Sequence, residues 1–234
     1  MAAQLLQLAS TPDLVDRVYR SLLDAISDGS LAPGQRLTQE DIAQQLAVSR
    51  QPVLQALRLL KKDGFVQDAP GRGLQVAPLD PAAIHQIYEV RGALDALAAR
   101  LAAQRRWRID PALLEAGRAA ARGDNVMAMI DADLAFHKAL YEAAGNPLIG
   151  ESAQLHWRHL RRVMGAVLQQ MGQRQAIWDE HQAIADAIAA GDAGRAARLV
   201  EEHSRHASRT LAERLQAVLA NATATPTNDP RRQP

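Results

Sequence analysis

The chain contains no cysteine. Disulfides and thiolate metal sites are therefore excluded, and a cytosolic location is the expectation. Aromatic residues make up only 3% of the 234 residues while apolar residues make up 47%, so the core must be mainly aliphatic and is expected to be helical. No apolar run approaches the ~18 residues of a membrane span, and the N-terminus lacks a basic, hydrophobic, cleavable pattern, so no membrane partner is expected. There is no large excess of either charge: the net value is +1. Residues 1–78 hold eight Lys/Arg and eight Asp/Glu. A nucleic-acid footprint there has to come from the arrangement of the cations. No GxGxxG, P-loop or G-x-S-x-G motif occurs.

The stretch Asp41 to Leu60 carries the strongest local signal. Gln39 to about Leu46 reads as a short helix, Ala47-Val48 as a turn, and Ser49 as the start of a second helix. Thr38 is placed to cap the first, with Asp41 three residues on. Ser49 is placed to cap the second, and Pro52 is tolerated in its first turn, where N–H groups are spare. Val53, Ala56, Leu57 and Leu60 share one face of that helix. Gln51, Gln55, Arg58 and Lys62 share the opposite face, with Leu54 at its flank. Two capped helices this short form a helix-turn-helix, which lays its second helix in the DNA major groove.

Before this unit, Leu14 to Ser27 has a helical apolar period, and Leu31 to Leu37 reads as a turn around Pro33-Gly34. After it, Phe65–Asp68 and Leu74–Val76 read as two strands joined through Ala69-Pro70-Gly71-Arg72-Gly73. The expected N-terminal domain, residues 1–78, is thus a winged helix-turn-helix. Ala77 to Pro81 reads as a linker. Helices are expected near 82–105, 110–122, 125–144, 147–171, 174–190 and 193–219, forming an all-α antiparallel helical bundle over 79–220. The fold class is mainly α. Residues 1–10 read as a frayed lead, and 221–234 are too polar to pack and read as a disordered tail.

The bundle carries a candidate metal site. Asp133 and His137 are four apart and project from one helix face. His181 lies on an apolar stripe with Ile177, Ile184 and Ile188, and His203 lies between Leu199, Val200 and Ala207. Three imidazoles and one carboxylate suit a divalent transition metal: Zn, Ni, Mn or Fe. Taken singly, each histidine reads as a satisfied core residue before it reads as a ligand.

The first 78 residues resemble the GntR family of bacterial transcription regulators. The resemblance rests on Leu31-Ala32-Pro33-Gly34-Gln35-Arg36-Leu37, Asp41-Ile42-Ala43, Val48-Ser49-Arg50-Gln51-Pro52-Val53, Gly64-Phe65-Val66 and Gly71-Arg72-Gly73. The remainder resembles the FadR-type effector domain FCD, through Tyr88-Glu89-Val90-Arg91, Phe136-His137-Lys138-Ala139-Leu140, Ala144-Gly145-Asn146-Pro147 and Glu180-His181-Gln182-Ala183-Ile184. Many FCD domains carry Asp-x3-His and two further histidines, which Asp133, His137, His181 and His203 match.

The resemblance implies a ligand-responsive regulator, repressor or activator, that binds double-stranded operator DNA as a homodimer. Arg50 sits in the first turn of the second helix, where recognition helices approach base edges, and the family places a DNA-contacting Arg there. Ser49 and Gln51 are placed for phosphate or base, Arg72 for the minor groove, and Arg36 and Thr38 for phosphate. Where the family tends to read Pro-Val-Arg-Glu, this chain reads Pro52-Val53-Leu54-Gln55. Leu54 suits a thymine methyl and Gln55 an adenine. The resemblance also implies a small organic-acid effector completing the metal site, with Arg91, Asn146 and Arg161 as candidate ligands. Arg91 has an alternative partner in Asp95 at i+4. Two other readings stand beside this one: a helical-bundle metalloenzyme with an accessory winged domain, and a regulator whose effector binds without metal.

Overall fold

A computed structural model of the chain describes residues 14–168 and 175–224, with side chains through 221. The expected lead at 1–10 lies outside these residues, as do the tail from 225 on and the connection at 169–174. The chain divides into two compact units, Met1–Pro78 and Leu79–Pro234.

The first unit contains α1 (Leu14–Ser27), β1 (Arg36–Leu37), α2 (Gln39–Gln45), α3 (Arg50–Lys62), β2 (Val66–Asp68) and β3 (Leu74–Val76). Thr38 caps α2, its Oγ1 accepting from Asp41 N at 3.2 Å and donating to Asp41 Oδ2 at 2.5 Å. Ser49 stands at the N-cap of α3 in extended backbone, but its side chain makes no capping bond. Between the two helices Ala47 takes φ 52°, a left-handed conformation that costs a residue with a Cβ about 1–2 kcal/mol. The apolar faces of α1 and α3 meet over Val18, Leu22, Ile26, Leu57 and Leu60, and Phe65 and Val76 close the core. The sheet differs from the expected hairpin. It is three-stranded, antiparallel, in the order β1-β3-β2, because Arg36 and Leu37 pair with Gln75 and Leu74. A two-residue strand has no periodicity to read, so in the sequence its segment is indistinguishable from the preceding turn.

The second unit is a bundle of α4 (Pro81–Gln104), α5 (Pro111–Arg122), α6 (Val126–Ala144), α7 (Pro147–Val167), α8 (Gln175–Ala190) and α9 (Ala193–Ala224). Its helix starts follow from side-chain caps. Asp80, Asp110, Asn125 and Asn146 each accept a backbone N–H of the following turn, and Pro stands in the first turn of α4, α5 and α7. The α6–α7 corner compresses both signals: Gly145 ends α6 at φ 63°, and Asn146 then caps α7. Helix α9 continues to Ala224, past the expected end near 219 and into the stretch expected to be disordered.

Two apolar clusters fill the bundle. One gathers Phe136, Leu140, Trp157, Trp178, Ile184 and Ile188; the other gathers Ile84, Ile130, Leu160, Val167, Leu211 and Leu215. Gly117 of α5 lies flat against the Trp178 ring, and a Cβ built there falls 1.9 Å from Trp178 Cη2. Gly117→Ala is therefore expected to destabilise the protein by about 2–3 kcal/mol through overpacking. A urea unfolding curve unchanged by the substitution would contradict this packing.

Candidate functional site: a buried histidine cluster and an exposed recognition helix

Three helices of the bundle bring four donor side chains to one point. Asp133 and His137 come from α6, His181 from α8 and His203 from α9, and one ligand-type atom from each lies within 4.8 Å of all the others. His137 and His181 are fully buried and His203 nearly so. His181 stacks on Phe136 at 4.0 Å between ring centroids, and neither of its ring nitrogens has a hydrogen-bond partner. Its Nε2 lies 3.5 Å from Asp133 Oδ1. A buried imidazole with two unmatched nitrogens costs free energy unless something binds it. Burial, then the nearby Arg91 guanidinium and neighbouring imidazoles, hold His137 well below the usual histidine range; burial, then His203 and Arg91, do the same to His181. Both rings are therefore neutral at pH 7 and carry a free lone pair, the form that ligates metal.

Outer partners orient this cluster. His203 Nδ1 bonds Glu180 Oε2 at 2.7 Å, and His206 Nδ1 bonds Glu180 Oε1 at 2.9 Å. The Nδ1 bond leaves Nε2 as the atom His203 can offer, the arrangement of a carboxylate–histidine–metal triad. Burial would raise the Glu180 carboxyl, yet its bonds to the two histidines hold it below the usual range. Arg91, 1% exposed, reaches in from α4. Its Nε donates to Asp95 Oδ2 at 3.0 Å and its Nη2 meets His137 Nε2 at 2.9 Å, while its Nη1 is buried without a partner. The guanidinium lies 4.0 Å over the Trp157 ring. Tyr141 O–H donates to Asp95 Oδ1 at 2.5 Å and accepts from Trp157 Nε1 at 3.0 Å. Burial pushes the Tyr88 phenol beside Arg91 up to about 12. A cavity of about 190 Å³ opens onto Arg91, Asp133, Glu180, His203 and His206.

In the first unit, Ser49, Arg50 and Gln51 are exposed at the start of α3, while Leu54 and Gln55 are half-buried. Arg50 Nη2 pairs with Glu40 Oε1 at 2.8 Å, with both side chains well exposed. Such a surface pair is worth about 0–1 kcal/mol and yields readily to a better partner. Arg72 stands exposed between Gly71 and Gly73, whose φ values of 89° and 95° favour glycine. Arg36, expected at phosphate, has its guanidinium on the wing loop. Its Nη1 donates to the carbonyl of Arg72 at 2.9 Å and its Nη2 to that of Pro70 at 2.8 Å, so it braces the loop that presents Arg72. Thr38 is likewise engaged, in capping α2.

Residues 86–206 match the family described as "FCD domain", and residues 14–76 match "Bacterial regulatory proteins, gntR family". The chain is 31% identical over 212 residues to the HTH-type transcriptional regulator LutR of Bacillus subtilis, covering 76% of this chain and 92% of that one. The chain is a GntR-family transcriptional regulator with an FCD domain. It is also 39% identical over 94 residues to an HTH-type transcriptional regulator in the TAR-I ttuE-ttuC' intergenic region of Agrobacterium vitis, a match spanning 40% of this chain and 55% of that one. The fold is shared with E. coli McbR/YncC, at a TM-score of 0.71 and 21% identity over 88% of this chain and all of that one. The gntR family and the two sequence relatives are described as transcriptional regulators, which sets the metalloenzyme reading aside. GntR regulators bind operator DNA. No described helix of this one is long and apolar enough to cross a membrane.

The GntR regulator's three expected effector residues fall in two places. Arg91 lines the 190 Å³ cavity beside the histidines. Asn146 and Arg161 instead line a separate groove of about 760 Å³ along α6 and α7. Asn146 Oδ1 also accepts from Leu148 N at 3.2 Å as the α7 cap, and Arg161 is paired with Asp131. Sequence reasoning missed Asp95 as a shared partner, Tyr141 and Glu180. Tyr141 does carry a signal, being four residues after His137 on the same helix face. Glu180 carries only its place beside His181 in the FCD-like stretch, which says nothing of its bonds to His203 and His206.

The neutral buried histidines give stability a pH dependence. The folded pKa values of His137 and His181 lie below the unfolded value of 6.5. As pH falls through 6.5 the unfolded chain takes up protons that the native state does not, so stability falls. Metal-free protein is expected to lose up to about 1.4 kcal/mol for each of the two histidines between pH 7.5 and 5.5. Denaturant titrations at the two pH values measure it; a flat or rising stability would refute the neutral assignment.

Proposed function

We propose that the protein regulates transcription as a homodimer whose operator affinity responds to a metal and a small carboxylate effector in the C-terminal bundle. The observation that carries this reading is the convergence of Asp133, His137, His181 and His203, with both nitrogens of a fully buried His181 unmatched. These residues fit a divalent transition ion: three imidazole nitrogens and one carboxylate oxygen, held by outer hydrogen bonds. Such an ion supplies a Lewis-acidic position for a carboxylate oxygen. A neutral imidazole nitrogen has one lone pair to give. An ion held through His137 Nε2 would displace the Arg91 bond there and leave two guanidinium N–H2 groups unmatched beside the cavity. Metal and carboxylate binding are then mutually favourable.

Arg50 and Gln55 read bases, Leu54 contacts a thymine methyl, Ser49 and Gln51 contact phosphate or base, and Arg72 enters the minor groove. Two copies address half-sites about 34 Å apart. The bundle's ligands change operator affinity because they bind its two states unequally, and by linkage DNA must change ligand affinity by the same factor. The test is metal analysis of protein purified without chelator, with operator titrations of metal-loaded and chelated protein. Absence of stoichiometric metal, together with operator affinity indifferent to added ion, would overturn the reading.

Arg36 enters as a brace rather than as a phosphate contact. Arg36→Met is expected to weaken operator binding by about 1 kcal/mol, roughly fivefold. The double variant with Arg72→Ala should bind no more weakly than Arg72→Ala alone, since Arg36 acts through the loop it holds. Additive losses would restore Arg36 as a direct contact.

A further inference from the structure

The walls of the cavity beside the histidine cluster select among carboxylates. Among its described lining residues Arg91 is the single Lys or Arg, whereas Asp133 and Glu180 are both acidic. Arg91 has already committed Nε to Asp95, and the one nitrogen without any partner is Nη1. Glu180 is committed on both oxygens to His203 and His206. Away from this polar end the lining is mainly apolar, with Met129, Met164, Leu168, Ile177 and Leu211 beside the Thr210 hydroxyl. At about 190 Å³ the cavity is smaller than the range for drug-sized ligands.

Building on the metal-and-carboxylate reading above, we propose that the effector is a monocarboxylate with a short aliphatic or aromatic body, and that dicarboxylates are rejected. One carboxylate finds Arg91 and the ion. The body displaces water from the methionine, leucine and isoleucine side chains. A second carboxylate at the far end would meet mainly apolar walls, and a buried unpaired charge is strongly disfavoured. The selection is thus built on both sides: a favourable apolar surface for the right ligand and, among the described lining residues, no second Lys or Arg for the wrong one.

Propionate, hexanoate and adipate separate these terms. Hexanoate adds three methylenes to propionate, and adipate replaces the methyl group of hexanoate by a second carboxylate. Each buried methylene is worth about fourfold in affinity. Calorimetric titration of full-length zinc-loaded protein is expected to show hexanoate binding at least about tenfold more tightly than either of the others. Binding of hexanoate should weaken in chelated protein, because the ion holds the carboxylate end. Adipate equal to hexanoate would overturn the proposal by revealing a second cationic partner. Propionate equal to hexanoate would overturn it by showing that the apolar wall is unused. In both cases carboxylate binding itself stands. If none of the three binds the zinc-loaded protein, the carboxylate reading falls and the inference with it.

Discussion

Arg50→Ala protein is expected to remain folded and lose sequence-specific binding. Arg50 is exposed at the start of α3 and its one ion pair is with exposed Glu40, so its removal costs the fold little. A bidentate arginine–guanine contact discriminates by about 1–3 kcal/mol. A dimer carrying two such contacts would lose about 2–6 kcal/mol, from about thirtyfold to more than ten-thousandfold in affinity. The measurement is a gel-shift titration on a duplex selected by the wild-type protein, with a scrambled duplex beside it. Specific binding should fall to the level of the scrambled control while thermal unfolding stays where it was. Retention of the gap between the two duplexes would remove Arg50 from the reading face. Glu40→Gln is the companion variant: freed of a competing carboxylate, Arg50 should bind DNA at least as well as before.

His181→Leu protein is expected to behave in opposite ways with and without metal. The imidazole is fully buried, stacked on Phe136, and has no partner for either nitrogen. Replacing an unsatisfied buried polar group by an apolar one of similar size is neutral or stabilising, so metal-free His181→Leu should unfold at the same urea concentration as wild type or a higher one. The loaded comparison runs the other way. A ligand present at a thousand times its dissociation constant stabilises the native state by about 4 kcal/mol. Losing one of four ligands should weaken the ion by at least about 100-fold, since removing even an outer partner costs 10–100-fold. The metal-dependent stabilisation should therefore fall by about 3 kcal/mol or more. An ordinary core histidine predicts no metal-dependent difference at all. A variant that gains as much stability from the ion as wild type would end the metal assignment.

Local spacing encodes several of these features outright. The two faces of α3 were legible because apolar residues recur with the helical period. The bundle's corners were legible because Asn146-Pro147 after Gly145 is a stop and a start in consecutive residues. Asp133 and His137 were legible as a pair because four residues return a helix to the same face. Which of these features meet depends on packing between elements. His181 and His203 join the α6 pair only through the packing of α8 and α9. Arg91 reaches their cavity while Asn146 and Arg161 line a different groove, although all three carried the same expectation. Arg36 became a wing brace because β1 pairs with β3 and sets its guanidinium under the carbonyls of Pro70 and Arg72. Asp95, Tyr141 and Glu180 entered the site in the same way. The reason is physical: a helix or strand fixes the direction of its own side chains, but the partner they find depends on how elements distant in sequence pack and align, and no local periodicity records that.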